Sequence, residues 1–435
     1  MKFNKWTVGL AAIGVVSLAS AARADEQMSQ VQTALSQTTL SGYVDTAAQW
    51  NPNTDYGPGL LNHTGPGTTT GVNWPGNVPK YSFAQNDGFS LNAVDIALDK
   101  PEDSSQWAAG YHIEMMYGSA AVGIPFGFSS STAPSPGAIA ATIRQAFIRL
   151  HTPISGSNGI DWQVGVFDSI IGYESNSDPL NPNYTRSYGY TIEPTTFTGI
   201  LGTYKVNDEL SLSAGIANDE FNNSFVPGNS FESQKCYMGS VSLTAPDSMG
   251  FLKGATLSGG VVHNNNSFFG ATLPGQTTPA FRGPTTSLYV GATVPTPITQ
   301  LKAGLSFDYL FQDNVNTGAP STGADLWNIA GYATFQATDK LSFNLRAEYL
   351  DNASSSAAAP ITLYPGNNAE EFTATVQYNL WANVITRGEF RWDHTEHNFG
   401  AVGEGFGASP SSTGGYTGPS RNNDFLLALN VIYQF

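Results

Sequence analysis

The chain ends on FLLALNVIYQF, residues 425–435, and the spacing of its apolar side chains decides how the rest is read. Phe425, Leu427, Leu429, Val431, Tyr433 and Phe435 fall on one face of an extended strand, where successive side chains point to opposite sides. A helix, with its period of about 3.6 residues, would scatter them around its axis. The same alternation recurs upstream with polar residues in the intervening positions. From Leu341 to Tyr349, Leu341, Phe343, Leu345, Ala347 and Tyr349 alternate with Ser342, Asn344, Arg346 and Glu348. From Glu371 to Leu380, Phe372, Ala374, Val376, Tyr378 and Leu380 alternate with Glu371, Thr373, Thr375, Gln377 and Asn379. Leu301–Phe311 and Trp107–Tyr117 repeat the pattern, the first with Lys302, Ser306 and Asp308 on the polar face, the second with His112 and Glu114.

Strands of about ten residues that are apolar on one side and polar on the other suit a bilayer-spanning barrel with a wet lumen. About sixteen candidates can be placed, an even number as bacterial barrels require. They lie near 39–50, 88–99, 105–117, 141–151, 160–168, 196–206, 209–218, 234–245, 253–264, 285–295, 300–312, 325–337, 339–351, 369–380, 383–393 and 424–435. Long stretches rich in Gly, Asn, Ser, Thr and Pro, such as 51–87, 169–195 and 394–423, alternate with short connections such as Asn207-Asp208 and Thr338-Asp339. The expected fold is therefore all-β: a transmembrane, antiparallel, up-and-down barrel with long extracellular loops and short periplasmic turns over 39–435. The register is mixed at Phe89–Leu98 and Ile143–Leu150. The closing Tyr433-Gln434-Phe435 resembles the C-terminal signal by which barrel-assembly machinery recognises its clients, with Tyr433 and Phe435 as its aromatic positions.

Composition agrees with a barrel. Charged residues are 12% of the chain, about half the share usual in soluble domains. Lys2 and Lys5 precede an apolar run from Trp6 to Leu18, and Ala22-Arg23-Ala24 offers small residues for cleavage before Asp25. The reading is a cleaved signal peptide over 1–24, then a short periplasmic segment over 25–38. Its loss takes three cations from a net charge of −16, leaving −19, which speaks against nucleic acid as a partner. Cys236 is the single cysteine, so no intrachain disulfide can form. No cofactor is implied. Asp393-His394-Thr395-Glu396-His397 looks at first like a metal cluster, but no helix brings its histidines to one face, and no metal site is assigned.

Sixteen strands enclose more space than wall side chains fill, so a water channel is expected. Arg346, Glu348, Glu371, Arg387, Glu389, Arg391 and Asp393 have lumen parity and could set a transverse field across a constriction. The loop from Ile170 to Thr195 is the candidate constriction, since it carries Glu174, Asp178, Arg186 and Glu193 with Tyr173, Tyr184, Tyr188 and Tyr190. The tyrosines could present flat faces to a sugar-like solute or pack the loop against the wall; packing is the favoured role for most of them.

DWQVGVFDSIIGYES at 161–175, NPNYTRSYGYTIEPTTFTG at 181–199, LSGYVDTAAQWNP at 40–52, NAVDIALDKP at 92–101 and IRQAFIRLHTP at 143–153 resemble the OmpL-like family of β-barrel porins. The resemblance implies an outer-membrane porin of a Gram-negative-type bacterium and transfers no defined functional residues. The expected function is passive diffusion of ions and small hydrophilic solutes, with a mild cation preference read from the acidic charge. Its partners would be outer-membrane lipid, lipopolysaccharide and the assembly machinery. Sixteen-strand porins are often trimers, which makes a homotrimer the assembly to test. A non-conducting adhesin or structural barrel is the first alternative. An outer-membrane hydrolase is the second, although no G-x-S-x-G motif or Ser/His pairing supports it.

Overall fold

The computed structural model describes residues 37–50, 88–103, 107–121, 127–129, 140–155, 158–218, 235–269, 281–312, 324–352, 368–395, 409–410, 416–417 and 423–435. The expected signal peptide, nearly all of the 25–38 segment and most of the long loops lie outside these residues. In hydrocarbon every backbone N–H and C=O must be paired within the protein, and a strand achieves this only with a neighbour on each side. The sheet meets that demand by closing. Its barrel strands are β1 (Thr39–Trp50), β2 (Gly88–Lys100), β3 (Ala108–Gly118), β4 (Ala140–Thr152), β5 (Ile160–Asp168), β6 (Thr196–Lys205), β7 (Leu210–Ala217), β8 (Cys236–Thr244), β9 (Thr256–Phe269), β10 (Phe281–Pro295), β11 (Leu301–Gln312), β12 (Ala324–Gln336), β13 (Leu341–Asn352), β14 (Ala369–Trp381), β15 (Val384–Thr395) and β16 (Asn423–Gln434). Each pairs antiparallel with its sequence neighbours, and β1 pairs with β16, giving a closed barrel of 16 strands. β9 and β10 run to Phe269 and from Phe281, past the expected limits at 264 and 285. A three-residue strand, Gly127–Ser129, adds to β4.

The C-terminal face reads as expected. Leu427, Leu429, Val431 and Tyr433 are exposed on the outside, whereas Leu426, Ala428, Asn430 and Ile432 are buried within. Phe435 finishes the seam with reciprocal backbone bonds to Gly42 at 3.0 and 3.1 Å, tying the last residue to the first strand. The outward face continues around the wall in Phe343, Leu345, Phe372, Val376, Ile329 and Val290, the apolar belt that lipid would cover.

The two stretches of mixed register have one cause. Between β1 and β2, Asp45 pairs with Ala93 and Thr46 with Leu91, so Asn92 is an extra residue. Between β3 and β4, Glu114 pairs with Gln145 and Met115 with Ile143, so Arg144 is an extra residue. Each is a β-bulge, and one added residue reverses the parity of everything beyond it. The bulges place Asn92 and Arg144 on the lumen face, where both are buried.

Inside the barrel, the segment following β5 does not stay at the rim. Residues from Asn176 to Thr196 are largely buried, and their partners lie on β1 and β11–β15, across the lumen from β5 and β6. The base of this loop sits in an apolar cluster of Phe167, Ile171, Phe197, Leu201, Met238, Val262 and Tyr289. Tyr184 sits in a second cluster with Tyr43, Met116, Ala428 and Ile432. Side chains of loop and wall thus fill much of an interior that wall residues alone would leave open.

Candidate functional site

The loop over 169–195 has little regular structure: a 3₁₀ turn at Asp178–Leu180 and one short helix, α1, at Tyr188–Ile192. Ser187 caps α1, its Oγ accepting from the Tyr190 N–H at 3.0 Å. A loop buried inside a protein must find partners for its backbone polar groups. Here the facing wall supplies them as charged side chains, and charge-assisted hydrogen bonds are the stronger kind.

Arginines take the carbonyls. Arg346 donates to the Thr185 carbonyl at 2.8 Å and the Arg186 carbonyl at 3.1 Å. Arg391 donates to the same Arg186 carbonyl at 2.6 Å, and Arg387 to the carbonyls of Asn181 at 2.6 Å and Asp178 at 3.3 Å. Wall carboxylates take the N–H groups. Glu389 accepts from Tyr184 at 2.6 Å and Thr185 at 2.9 Å, and Glu348 from Tyr188 at 2.8 Å. Within the loop, Glu174 accepts from the Ser187 N–H at 2.9 Å and pairs with Arg346 at 2.8 Å, while Arg186 pairs with Asp178 at 2.7 Å. Glu371 pairs with Arg346 at 3.1 Å, and Asp393 holds Arg391 at 2.8 Å and receives the Tyr188 hydroxyl.

The residues singled out in the sequence are thus brought together, though not facing open water. Glu174, Asp178, Arg186, Arg346, Glu348, Glu371, Arg387, Glu389 and Arg391 all lie in the seam where the loop meets β13–β15. The side chains of Arg186, Arg346 and Arg391 are fully enclosed there. Glu193 lies apart, facing Asp308 on β11. Burial, and then the Asp308 carboxylate it hydrogen-bonds, raise the Glu193 carboxyl well above its usual pKa. Tyr184, Tyr188 and Tyr190 pack the loop in place, each with its hydroxyl pKa pushed up by burial.

α1 can approach β11 and β12 because position 189 has no side chain. A Cβ on Gly189 would stand 2.5 Å from Asp308 Oδ2, closer than real Cβ atoms come, and 3.0 Å from Asn328 Nδ2, a tight contact.

Sequence reasoning did not anticipate a second charged cluster on the opposite wall. Arg144 forks between Asp168, at 2.7 and 2.9 Å, and Glu114, which also receives Gln145 at 2.9 Å and contacts His112 at 3.2 Å. Glu114 had visible lumen parity; the bulge concealed that of Arg144. Beneath the loop, toward the short turns, a cavity of about 540 Å³ remains between the loop and β9–β14. Among the described residues, no group of His, Cys, Asp and Glu is arranged to hold a metal. His394 instead bonds Asn423 at 3.0 Å, and His397 lies outside the described residues.

A closed sixteen-strand barrel crossed, among the described residues, by one inward loop is a pore architecture, and the family comparison agrees. Residues 37–435 match the family described as "Putative beta-barrel porin-2, OmpL-like". The chain belongs to that family. Its fold also matches solved outer-membrane structures. The outer membrane channel DcaP of Acinetobacter baumannii aligns with a TM-score of 0.55 at 11% identity, over 92% of this chain and 97% of the other. The anion-selective porin from Comamonas acidovorans aligns at 0.53 and 12%, over 92% and 99%. The trimer form of OmpT from Vibrio cholerae aligns at 0.54 and 12%, over 92% and 99%. No curated protein matches the chain in sequence. This OmpL-like chain is an outer-membrane porin.

Proposed function

We propose that this porin conducts ions and small hydrophilic solutes passively, with a mild preference for cations. The observation that carries this reading is the docked loop, which crosses a barrel too wide to be filled by its wall and leaves a cavity of about 540 Å³ beneath it. The preference follows from charge: without Lys2, Lys5 and Arg23 the net charge goes from −16 to −19, an acidic excess that draws cations. Rings and patches of one sign bias a pore toward the opposite ion. The constriction residues are those of the seam, acting through the loop they position.

The remaining features fit an exported barrel. Residues 1–24 are read as a cleaved signal peptide and 25–38 as a short periplasmic segment. The Tyr433 and Phe435 terminus addresses the chain to the barrel-assembly machinery, and lipid and lipopolysaccharide surround the apolar belt. A homotrimer is the proposed assembly, a state that the similar Vibrio cholerae structure also takes.

The test is single-channel recording of the refolded mature chain in a planar bilayer across a salt gradient. Steps of stable size with a reversal potential on the cation side are expected. A folded, heat-modifiable barrel that never conducts would refute the pore and turn attention to the long loops as contact surfaces. A potential on the anion side would refute the preference alone. Native mass measurement in detergent checks the trimer, and a monomeric mass would exclude it.

A further inference from the structure

The cavity under the loop differs in chemistry from the seam above it. Its volume, about 540 Å³, lies within the range typical of small-molecule sites. Glu174 and Lys302 are the charged residues of its lining, and the Glu174 side chain is closed off in its pair with Arg346. Most of the polar wall is neutral: Thr256, Ser258, Thr334, Ser342, Asn344 and Gln377 offer hydroxyls and amides.

Three tyrosines complete the lining, Tyr173 from the loop, Tyr289 from β10 and Tyr332 from β12. Two of them are held rigidly. The rings of Tyr173 and Tyr332 stack with centroids 4.2 Å apart and planes 21° apart. Their hydroxyls are anchored, Tyr173 to Thr293 at 3.1 Å and Tyr332 to Glu174 at 3.2 Å. Tyr173 reaches this position across Gly304, where a Cβ would collide with its hydroxyl. Rings fixed in advance lose little freedom when a ligand stacks on them.

We propose that this cavity is a stacking subsite for an uncharged polyhydroxylated solute of mono- or disaccharide size. A sugar presents C–H faces suited to aromatic rings, and an edge of hydroxyls that neutral amides and hydroxyls can pair. Among the described residues of the lining, a strongly charged solute would find one uncompensated charge, Lys302. The proposal deepens the pore reading and rests on it.

The experiment records ion current through the refolded mature chain while maltose is added from the short-turn side. Polyethylene glycol of matching hydrodynamic size is the control. Maltose should reduce the current saturably, whereas the polymer should lower it only in proportion to bulk conductivity. Each variant is compared at its own open conductance. Tyr173→Ala and Tyr289→Ala should each weaken the block by about tenfold, while Tyr173→Phe keeps it within about twofold because the ring remains. Maltose that tracks the polymer would overturn the subsite, as would unchanged block in both alanine variants. Absence of conductance before any sugar is added would refute the pore itself; conductance without saturable block refutes only the subsite.

Discussion

Replacing Arg346 by methionine should loosen the constriction while leaving the barrel closed. The β13 backbone at this position pairs with Tyr332 and Thr373 irrespective of the side chain, so strand register survives. Methionine keeps most of the volume. What disappears is a fully enclosed guanidinium that joins the carbonyls of Thr185 and Arg186 to Glu174 and Glu371. The acidic partners are equally enclosed, with 2% and 0% of their side-chain surface accessible, so solvent does not screen the loss. Removing one partner of a buried ion pair costs about 3–5 kcal/mol. Spread over the equilibrium between docked and displaced loop, that is roughly two to three and a half orders of magnitude. Arg387, Arg391 and Glu389 still hold the loop, so the expected result is flicker between conductance levels and a higher mean conductance. Single-channel recording measures both, and polymer exclusion measures the widened passage. Because the cost arises from stranded carboxylates, Glu174→Gln should recover part of it in the double variant, a coupling that a cycle of single and double variants isolates. Conductance, noise and exclusion limit all equal to the parent's would refute the claim that this arginine holds the loop.

Three further predictions follow from other contacts. Gly189→Val should push α1 away from Asp308 and Asn328, producing the same flicker without altering any charge; steady parent-like steps would show that this close approach is unimportant. Lys302→Glu should move the reversal potential further toward cations, and coincident potentials would mean that the lower cavity lies off the ion path. Glu193 faces Asp308, with Glu174 and the Tyr173 backbone nearby, and its raised pKa means that the docked loop binds this proton more tightly than the displaced loop. Docking should therefore weaken as pH rises above the ordinary value of 4.5, and current noise should increase. Glu193→Gln should flatten that response, whereas a noise profile superimposed on the parent's would exclude the carboxyl as its source.

Much of the barrel was legible because a lipid-spanning strand has a strict period, and residues such as Phe343 and Arg346 cannot exchange faces without large cost. Strand positions and the closing C-terminal face could be read for the same reason. Asn92 and Arg144 escaped because a bulge is a backbone event with no composition of its own; it appears in sequence only as a broken alternation. The seam was half legible. Lumen parity marked Arg346, Arg387, Glu389 and Arg391, and loop order marked Glu174 and Arg186. That these groups would meet one another, rather than water, depends on the path of the loop across the barrel. No local pattern encodes that path, since contacts between residues 185 and 346 or 389 are long-range.

The way the loop is held bears on how such a pore can change what it passes. Arg346, Arg387, Arg391, Glu348 and Glu389 grip carbonyls and N–H groups, which every residue except proline provides in full. Loop position is thus set chiefly by the wall, and Leu180, one of the side chains that the loop turns toward the cavity, takes no part in that grip. Leu180 remains 60% exposed. Substitutions on the wall should alter how wide and how steady the passage is, whereas substitutions at such loop positions should alter which solute lingers in it. The two properties are held by different residues because backbone recognition fixes where the loop lies without fixing what it displays.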